Sequence, residues 1–184
     1  MHGRQHHRIT EYPRDLQTLL GTNFKIGNFG VTGATVLLNT DRPYLNQTAF
    51  QEAKQFLPNI VVIMLGTNDA RTNIYQYSEN FEADYKQLIS EAQDFTSKPK
   101  IFLAIPPPIF NNTLSLSSIN LVQGVIPHIE RVARELGVQT INIYGDLVNH
   151  PEYFPDGVHP NSEGAKLIAV TVYKAINATV SATA

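Results

Sequence analysis

Residues 60–69 read Ile-Val-Val-Ile-Met-Leu-Gly-Thr-Asn-Asp, an unbroken apolar run that stops at a short polar segment. A continuous apolar run of this length is typical of a strand that is covered on both faces of a parallel sheet. The Gly-Thr-Asn-Asp segment then falls at the carboxyl end of the strand, where open α/β sheets bind their ligands. This stretch therefore predicts the kind of sheet and the edge at which its chemistry lies.

Helices and strands alternate along the rest of the chain. Further strands are predicted at 24–29, 100–105 and 138–143, and helices at 10–20, 48–56, from 78 onward, 118–136 and 162–176. Pro127 is expected to kink the helix at 118–136 or to delay its start. Strands separated by helices imply a parallel sheet with helices on both faces, and right-handed crossovers make this a three-layer α/β/α sandwich. No repeat or linker interrupts the pattern, so we expect one domain, 1–184.

Composition excludes several classes of function. The net charge is −2, with 14 basic and 16 acidic residues, and no basic patch indicates nucleic acid as a partner. The absence of cysteine excludes disulfides and thiolate chemistry. No apolar run approaches the roughly 18 residues that a membrane span needs, and there is no glycine-rich loop of the nucleotide-binding type. The sequence assigns neither a compartment nor an oligomeric state.

A second polar stretch, at 154–161, reads Phe-Pro-Asp-Gly-Val-His-Pro-Asn. It places Asp156 three residues before His159, and Asn161 or Ser162 is expected to cap the helix that follows. An Asp that accepts a hydrogen bond from one ring nitrogen of a His fixes the tautomer, and the other nitrogen can take a proton from a nucleophile. The alternative is a tight turn that carries a surface histidine. Asp156 and His159 are therefore candidates for the orienting carboxylate and the general base.

Two further positions could stabilise a developing oxyanion. Asn68 directly follows a predicted strand, so its short side-chain amide could donate to a ligand. Gly33, in the loop at 30–35, has no side chain, so a ligand could approach its backbone N–H closely. The alternatives are an Asx-turn residue and a turn glycine. These segments all reach the same edge of the predicted sheet, which favours one common site.

In this order the polar segments resemble the SGNH hydrolase family, also called GDSL esterases or lipases. Residues 28–35 match the family's second block as Asn-x-Gly-x-x-Gly-x-Thr, residues 66–69 match its third block as Gly-Thr-Asn-Asp, and residues 156–160 match its fifth block as Asp-Gly-Val-His-Pro. The resemblance covers nearly the whole chain.

The resemblance implies a flavodoxin-like sandwich and a serine ester hydrolase. It implies that Gly33 and Asn68 donate to the oxyanion, that Asp156 and His159 belong to a catalytic triad, and that no metal or organic cofactor is needed. The loops between the matched blocks are short, which favours short acyl groups such as acetyl. The prolines at 106–108, followed by Ile and Phe, resemble a branch that acts on acylated carbohydrate. The expected partner is therefore a small-molecule or carbohydrate ester.

The family's first block, Gly-Asp-Ser at the end of the first strand, is absent. Gly3 and the Tyr-Pro pair at 12–13 match the residues that follow this block, so the serine would lie upstream of the first residue. No other serine substitutes convincingly, and Thr32 and Thr67 lack a recognisable nucleophile elbow. Two hypotheses remain. The chain is the body of a hydrolase whose nucleophilic serine is not in this chain, or it is an inactive pseudo-enzyme that binds carbohydrate or acyl ligands.

The missing block has a structural consequence as well. In a flavodoxin-like order the first strand is central, so the strands near Phe24 and Ile60 would lose their shared neighbour. Each unpaired buried backbone group costs about 1–3 kcal/mol, against a usual total stability of about 5–15 kcal/mol. We therefore expect the isolated chain to be poorly stable or to recruit a strand, and a monomer melting above about 60 °C would contradict this.

Overall fold

The computed structural model describes residues 11–182 and contains a parallel sheet of three strands. The strands are β1 (Ile60–Ile63), β2 (Lys100–Ile105) and β3 (Gln139–Asn142), and they lie side by side in that order. Ile60 pairs with Lys100 at the start of the first ladder, and Phe102 pairs with Gln139 at the start of the second. The predicted strands at 60–65, 100–105 and 138–143 are thus confirmed, with β1 and β3 both shorter than expected.

Helices cover both faces of this sheet. The helices are α1 (Glu11–Leu20), α2 (Thr48–Gln55), α3 (Phe81–Gln93), α4 (Ser118–Asn120), α5 (Ile126–Leu136), α6 (Ile143–Leu147) and α7 (Ser162–Ala182). A π-helical turn at Leu121–Val125 joins α4 to α5, so the irregularity expected near Pro127 falls just before the proline. Short 3₁₀ turns lie at Tyr44–Asn46, Asn68–Ala70, Tyr75–Asn80 and Pro151–Tyr153. The helix predicted at 10–20 is described from Glu11 onward. Thr10 and Gly3 lie outside the described residues.

The side chains of β2 divide the core into two parts. Phe102 and Ala104 pack with residues of α1, α6 and α7, whereas Ile101, Leu103 and Ile105 pack with residues of α3 and α5. Successive side chains of a strand point to opposite faces of its sheet. The alternation therefore confirms the three-layer sandwich expected from the sequence.

The predicted strand at 24–29 is wrong. These residues are an irregular segment that makes no ladder, and two of their backbone groups bond instead to one side chain of α1. The Gln17 Nε2 donates to the Phe24 carbonyl at 2.8 Å, and the Ile26 N–H donates to Gln17 Oε1 at 2.9 Å. A strand needs a neighbour to pair with, and no strand precedes Ile60 within residues 11–182.

β1 is less buried than β2. Residues 101–105 of β2 are at most 6% exposed, whereas Ile60, Val61 and Val62 of β1 are all partly exposed. β1 is as apolar as β2 but lies at the edge of the described sheet, with β2 as its one strand neighbour among the residues described.

Of the helices within residues 11–182, none combines the length and apolarity that crossing a bilayer requires.

Candidate active site

The loop before α7 brings Asp156 and His159 together within a single turn. The ring N–H at His159 Nδ1 donates to Asp156 Oδ2 at 2.6 Å. The other carboxylate oxygen accepts the backbone N–H groups of Val158 at 2.9 Å and His159 at 2.7 Å. Gly157 lies between the two with φ of +80°, and a Cβ there would collide with the carbonyl of Asn111. The sequence therefore builds this pair locally, and glycine is required at its centre.

The same hydrogen bonds determine the charge of Asp156. Partial burial is the largest single effect and raises the pKa, but the bonds from the His159 backbone, the His159 ring and the Val158 N–H together outweigh it and lower the pKa to about 2. The carboxylate is therefore ionised at neutral pH. It can hold the ring in one tautomer and stabilise a positive charge on it, although its side chain is 49% exposed and solvent weakens the interaction.

The cap predicted for α7 is confirmed at Asn161. Its Oδ1 accepts the N–H groups of Glu163 and Gly164, both at 3.1 Å. The Asn161 N–H donates to the Tyr153 carbonyl at 2.7 Å. The helix start and the Asp156–His159 loop are therefore fixed by the same short segment.

Gly33 and Asn68 lie in two loops that are bonded to each other. Gly33 has φ of +77°, a conformation that favours glycine, and the carbonyl of the next residue, Ala34, accepts a hydrogen bond from Asn68 Nδ2 at 3.1 Å. Arg71 Nη2 donates to Asn68 Oδ1 at 3.2 Å. Because a guanidinium can only donate, the atom of Asn68 that Arg71 contacts must be the amide oxygen. Asn68 Nδ2 is therefore the NH₂ group, and it has a second hydrogen besides the one donated to Ala34. This role of Arg71 was not predicted from the sequence.

Asp69 also connects these two loops, and this role was not predicted from the sequence either. Its side chain is buried, and it accepts the Leu37 N–H at 2.9 Å and the Val36 N–H at 3.1 Å. Burial raises the pKa of Asp69 to about 6, although these backbone bonds oppose the change. The signal that could have found it is its position beside Asn68, since a carboxylate that directly follows a buried strand needs partners.

One cavity of about 1150 Å³ collects most of the candidate residues. Gly33, Asn68 and His159 line it, and Asp156 lies behind His159. Thr32 and Thr67 also reach its wall, but within residues 11–182 the lining contains no serine. No cluster of three or more metal-ligating side chains occurs in the same part of the chain. The arrangement offers a base, its orienting carboxylate and two potential oxyanion donors around one space.

Several solved esterase structures share this fold. A putative arylesterase from Agrobacterium tumefaciens str. C58 superposes with a TM-score of 0.73 at 19% identity, over 90% of this chain and 85% of that one. A carbohydrate acetylesterase from Sinorhizobium meliloti gives a TM-score of 0.74 at 16% identity, over 92% of this chain and 85% of that one. The chain therefore has the flavodoxin-like fold that was expected from the sequence.

Sequence comparison gives the family. The model of the GDSL-like lipase/acylhydrolase family matches residues 1–167, and the chain belongs to that family. An acetylxylan esterase from Xylanibacter ruminicola is 33% identical over an alignment of 183 residues. This alignment covers 90% of this chain and 38% of that protein. A multidomain esterase from Ruminococcus flavefaciens is 28% identical over 114 residues, or 60% of this chain and 14% of that protein. The chain thus spans well under half the length of these two relatives.

Proposed function

We propose that this chain supplies the base, the orienting carboxylate and the oxyanion donors of a serine ester hydrolase that acts on short acyl esters, acetyl above all. The observation that supports this is the placement of His159, with Asp156 behind it, in the wall of the same cavity as Gly33 and Asn68. The names of the relatives, which include acetylxylan and carbohydrate acetylesterases, favour an acetylated carbohydrate as the substrate.

The nucleophile in this proposal is a serine outside the 184 residues. Its hydroxyl oxygen attacks the ester carbonyl carbon, and His159 Nε2 takes the hydroxyl proton as the new C–O bond forms. The tetrahedral intermediate collapses, the C–O bond to the alcohol breaks, and the imidazolium returns the proton to the departing alkoxide. Water then repeats the sequence on the acyl-enzyme and releases the acid and the free serine.

The residues of this chain stabilise the charges that develop. Ionised Asp156 stabilises the imidazolium that His159 becomes. The Gly33 backbone N–H and the second N–H of Asn68 Nδ2 donate to the oxyanion, while Arg71 holds the amide in the required orientation. Donors that are fixed in place before the reaction typically contribute about 10²–10³ each to the turnover rate.

The test is an activity assay on a chain extended at its N-terminus by an apolar strand that ends in Gly-Asp-Ser. We expect this protein to hydrolyse p-nitrophenyl acetate and to release acetate from acetylated xylan. His159→Ala should lower turnover by on the order of 10⁴–10⁶ without unfolding the protein. Full activity in that variant would remove His159 from the mechanism.

His150→Ala is the matched control. The side chains of His150 and His159 are both 39% exposed, and each ring bonds a carboxylate, but His150 does not line the cavity. Its replacement should leave turnover unchanged. Asn68→Ala should lose about 10²–10³ in turnover, and a melting curve must accompany it, because Asn68 also ties down Ala34.

The alternative is an inactive pseudo-enzyme that binds carbohydrate or acyl ligands. The absence of serine from the cavity lining within residues 11–182 favours it. An active-site-directed phosphonate distinguishes the two when it is applied to the 184-residue chain and to the extended chain. Labelling of the extended chain alone supports the hydrolase, whereas binding of acetylated xylo-oligosaccharides with no labelling of either supports the pseudo-enzyme.

A further inference from the structure

One loop contacts both halves of the candidate site. It comprises residues 109–117, which follow β2 and its prolines, and we call it the bridging loop. At its beginning, the Phe110 N–H donates to the Gly157 carbonyl at 2.8 Å, and the rings of Phe110 and Phe154 lie 5.2 Å apart. Because Gly157 lies within the Asp156–His159 turn, the bridging loop supports the turn that carries the candidate base.

The end of the bridging loop contacts the segment that carries Asn68. Residues 70–72 and 115–117 meet in antiparallel orientation, with Arg71 opposite Leu116. Backbone hydrogen bonds of 3.1 and 3.2 Å flank this pair on its two sides. Since the Arg71 guanidinium donates to Asn68 Oδ1, this end of the loop supports a candidate oxyanion donor.

The Asn112 side chain connects the two ends of the bridging loop. Its Nδ2 donates to the carbonyls of Phe110 and Leu116, both at 2.9 Å. Its Oδ1 accepts the N–H of Leu114 at 2.9 Å and that of Leu116 at 3.3 Å. These four bonds use both hydrogens of the amide and fit only one orientation of it. Ser115 has φ of +59°, a conformation that a residue other than glycine keeps only when its surroundings impose it.

We propose that Asn112 is a positioning residue that sets the spacing between His159 and Asn68, a role that rests on the function proposed above. Its bond to Phe110 fixes the turn that carries the base. Its bonds to Leu116 fix the segment that carries the oxyanion donor. Asn112 does not line the cavity, so it acts through these neighbours and not on the ester. The base and the donor act on the same carbonyl group, and a displacement of about 1 Å can cost about 10²-fold in rate.

The alternative is that Asn112 only stabilises its own loop, as asparagine side chains often do in turns. In that case its loss would lower the stability of the chain and leave His159 and Asn68 where they are. The two explanations therefore differ in what happens at the site while the protein is still folded.

The first measurement is NMR, which needs no activity, on the 184-residue chain and on the extended chain. In Asn112→Ala we expect shifts of both the carbon-bound ring signals of His159 and the side-chain NH₂ signals of Asn68. Asn142→Ala is the matched control, because the Asn142 side chain also accepts a backbone N–H, that of Gly145 at 2.9 Å, but does not line the cavity. The control should leave both sets of signals unchanged. Shifts at only one of the two residues, or at neither, would overturn the proposal.

The second measurement separates kcat from KM in the extended chain, well below the melting temperature of each variant. With p-nitrophenyl acetate we expect Asn112→Ala to lower kcat by at least about tenfold and to change KM by less than about twofold. Asn142→Ala should keep the kcat of the wild-type chain. An inactive wild-type extended chain would refute the proposed function and, with it, a catalytic purpose for Asn112. An active one whose kcat is unchanged in Asn112→Ala would refute this proposal alone.

Asn112→Asp tests the connection to the base turn. Aspartate keeps an acceptor for the Leu114 and Leu116 N–H groups but lacks the Nδ2 donor to the Phe110 carbonyl. We expect kcat to stay at least about fivefold below that of the wild-type chain, the scale of one lost hydrogen bond. Wild-type kcat in this variant would contradict the proposed connection through Phe110.

Discussion

The Asp69→Asn substitution tests how the candidate site is held together. Asp69 is 1% exposed, and its two oxygens accept the backbone N–H groups of Leu37 and Val36. Asparagine has nearly the same shape but one acceptor oxygen and no charge. The substitution thus removes a buried titrating group while keeping the packing, so its effect on stability must depend on pH.

The magnitude follows from the pKa of Asp69, which burial raises from 3.8 to about 6. The folded chain then binds the proton more tightly than the unfolded chain does, so protonation favours folding. Stability from this group increases as the pH falls from about 6 towards 3.8 and is lost again as the pH rises through 6. The full difference is about 3 kcal/mol, since one pKa unit corresponds to about 1.4 kcal/mol.

The assay is urea unfolding of the wild-type chain and of Asp69→Asn at intervals between pH 7.5 and pH 4.5. Taking the difference between the two proteins removes the contributions of all other carboxyl groups. We expect the wild-type chain to gain about 2 kcal/mol over the variant between pH 7 and pH 4.5. A difference that is constant or that shrinks as the pH falls would refute the reasoning, because the two amide donors would then fully offset the burial of the charge.

Three further predictions concern the loops of the site. In His159→Ala, the carboxyl carbon of Asp156 should titrate above about 2 but below its ordinary 3.8, because the ring donor is lost while backbone donors remain; an unchanged NMR titration would contradict the 2.6 Å bond. Gly66→Ala should lower stability by about 2 kcal/mol or more in urea unfolding, since φ is +115° and a Cβ would lie 2.8 Å from Val125. Gly33→Ala, at φ of +77° but with only Arg42 nearby, should lower stability by about 1 kcal/mol. An equal loss of stability in the Gly33 and Gly66 variants would count against the collision at Gly66.

The strands from β1 onward were predictable because β1 and most of β2 are continuous apolar runs, and residues 138–143 alternate apolar and polar side chains. The same logic failed at 24–29, where Phe24, Ile26 and Phe29 resemble a strand in their apolar content. Strand formation depends on a partner from another part of the chain, and local pattern carries no information about that partner. Here the Gln17 side chain takes two of the hydrogen bonds that a ladder would have made.

The candidate site was predictable to different degrees on its two sides. Asp156 and His159 are three residues apart, so their contact could be inferred from the sequence alone. The contact of Asn68 with Ala34 and that of Asp69 with Leu37 join residues more than 30 positions apart, and they depend on how two loops meet across the sheet. Arg71 is only three residues from Asn68, but its role depends on the orientation of the Asn68 amide, which the distant contact with Ala34 determines.

The local construction of the Asp156–His159 turn has an evolutionary consequence. Its three hydrogen bonds all lie within residues 156–159, and none of them depends on β1 or on anything before it. The base and its orienting carboxylate can therefore be inherited together as one short segment. Insertions, losses or exchanges in the first half of the gene leave these hydrogen bonds unchanged. A hydroxyl placed beside His159 would then complete the proposed set of reacting groups only where Gly33 and Asn68 still line the same cavity.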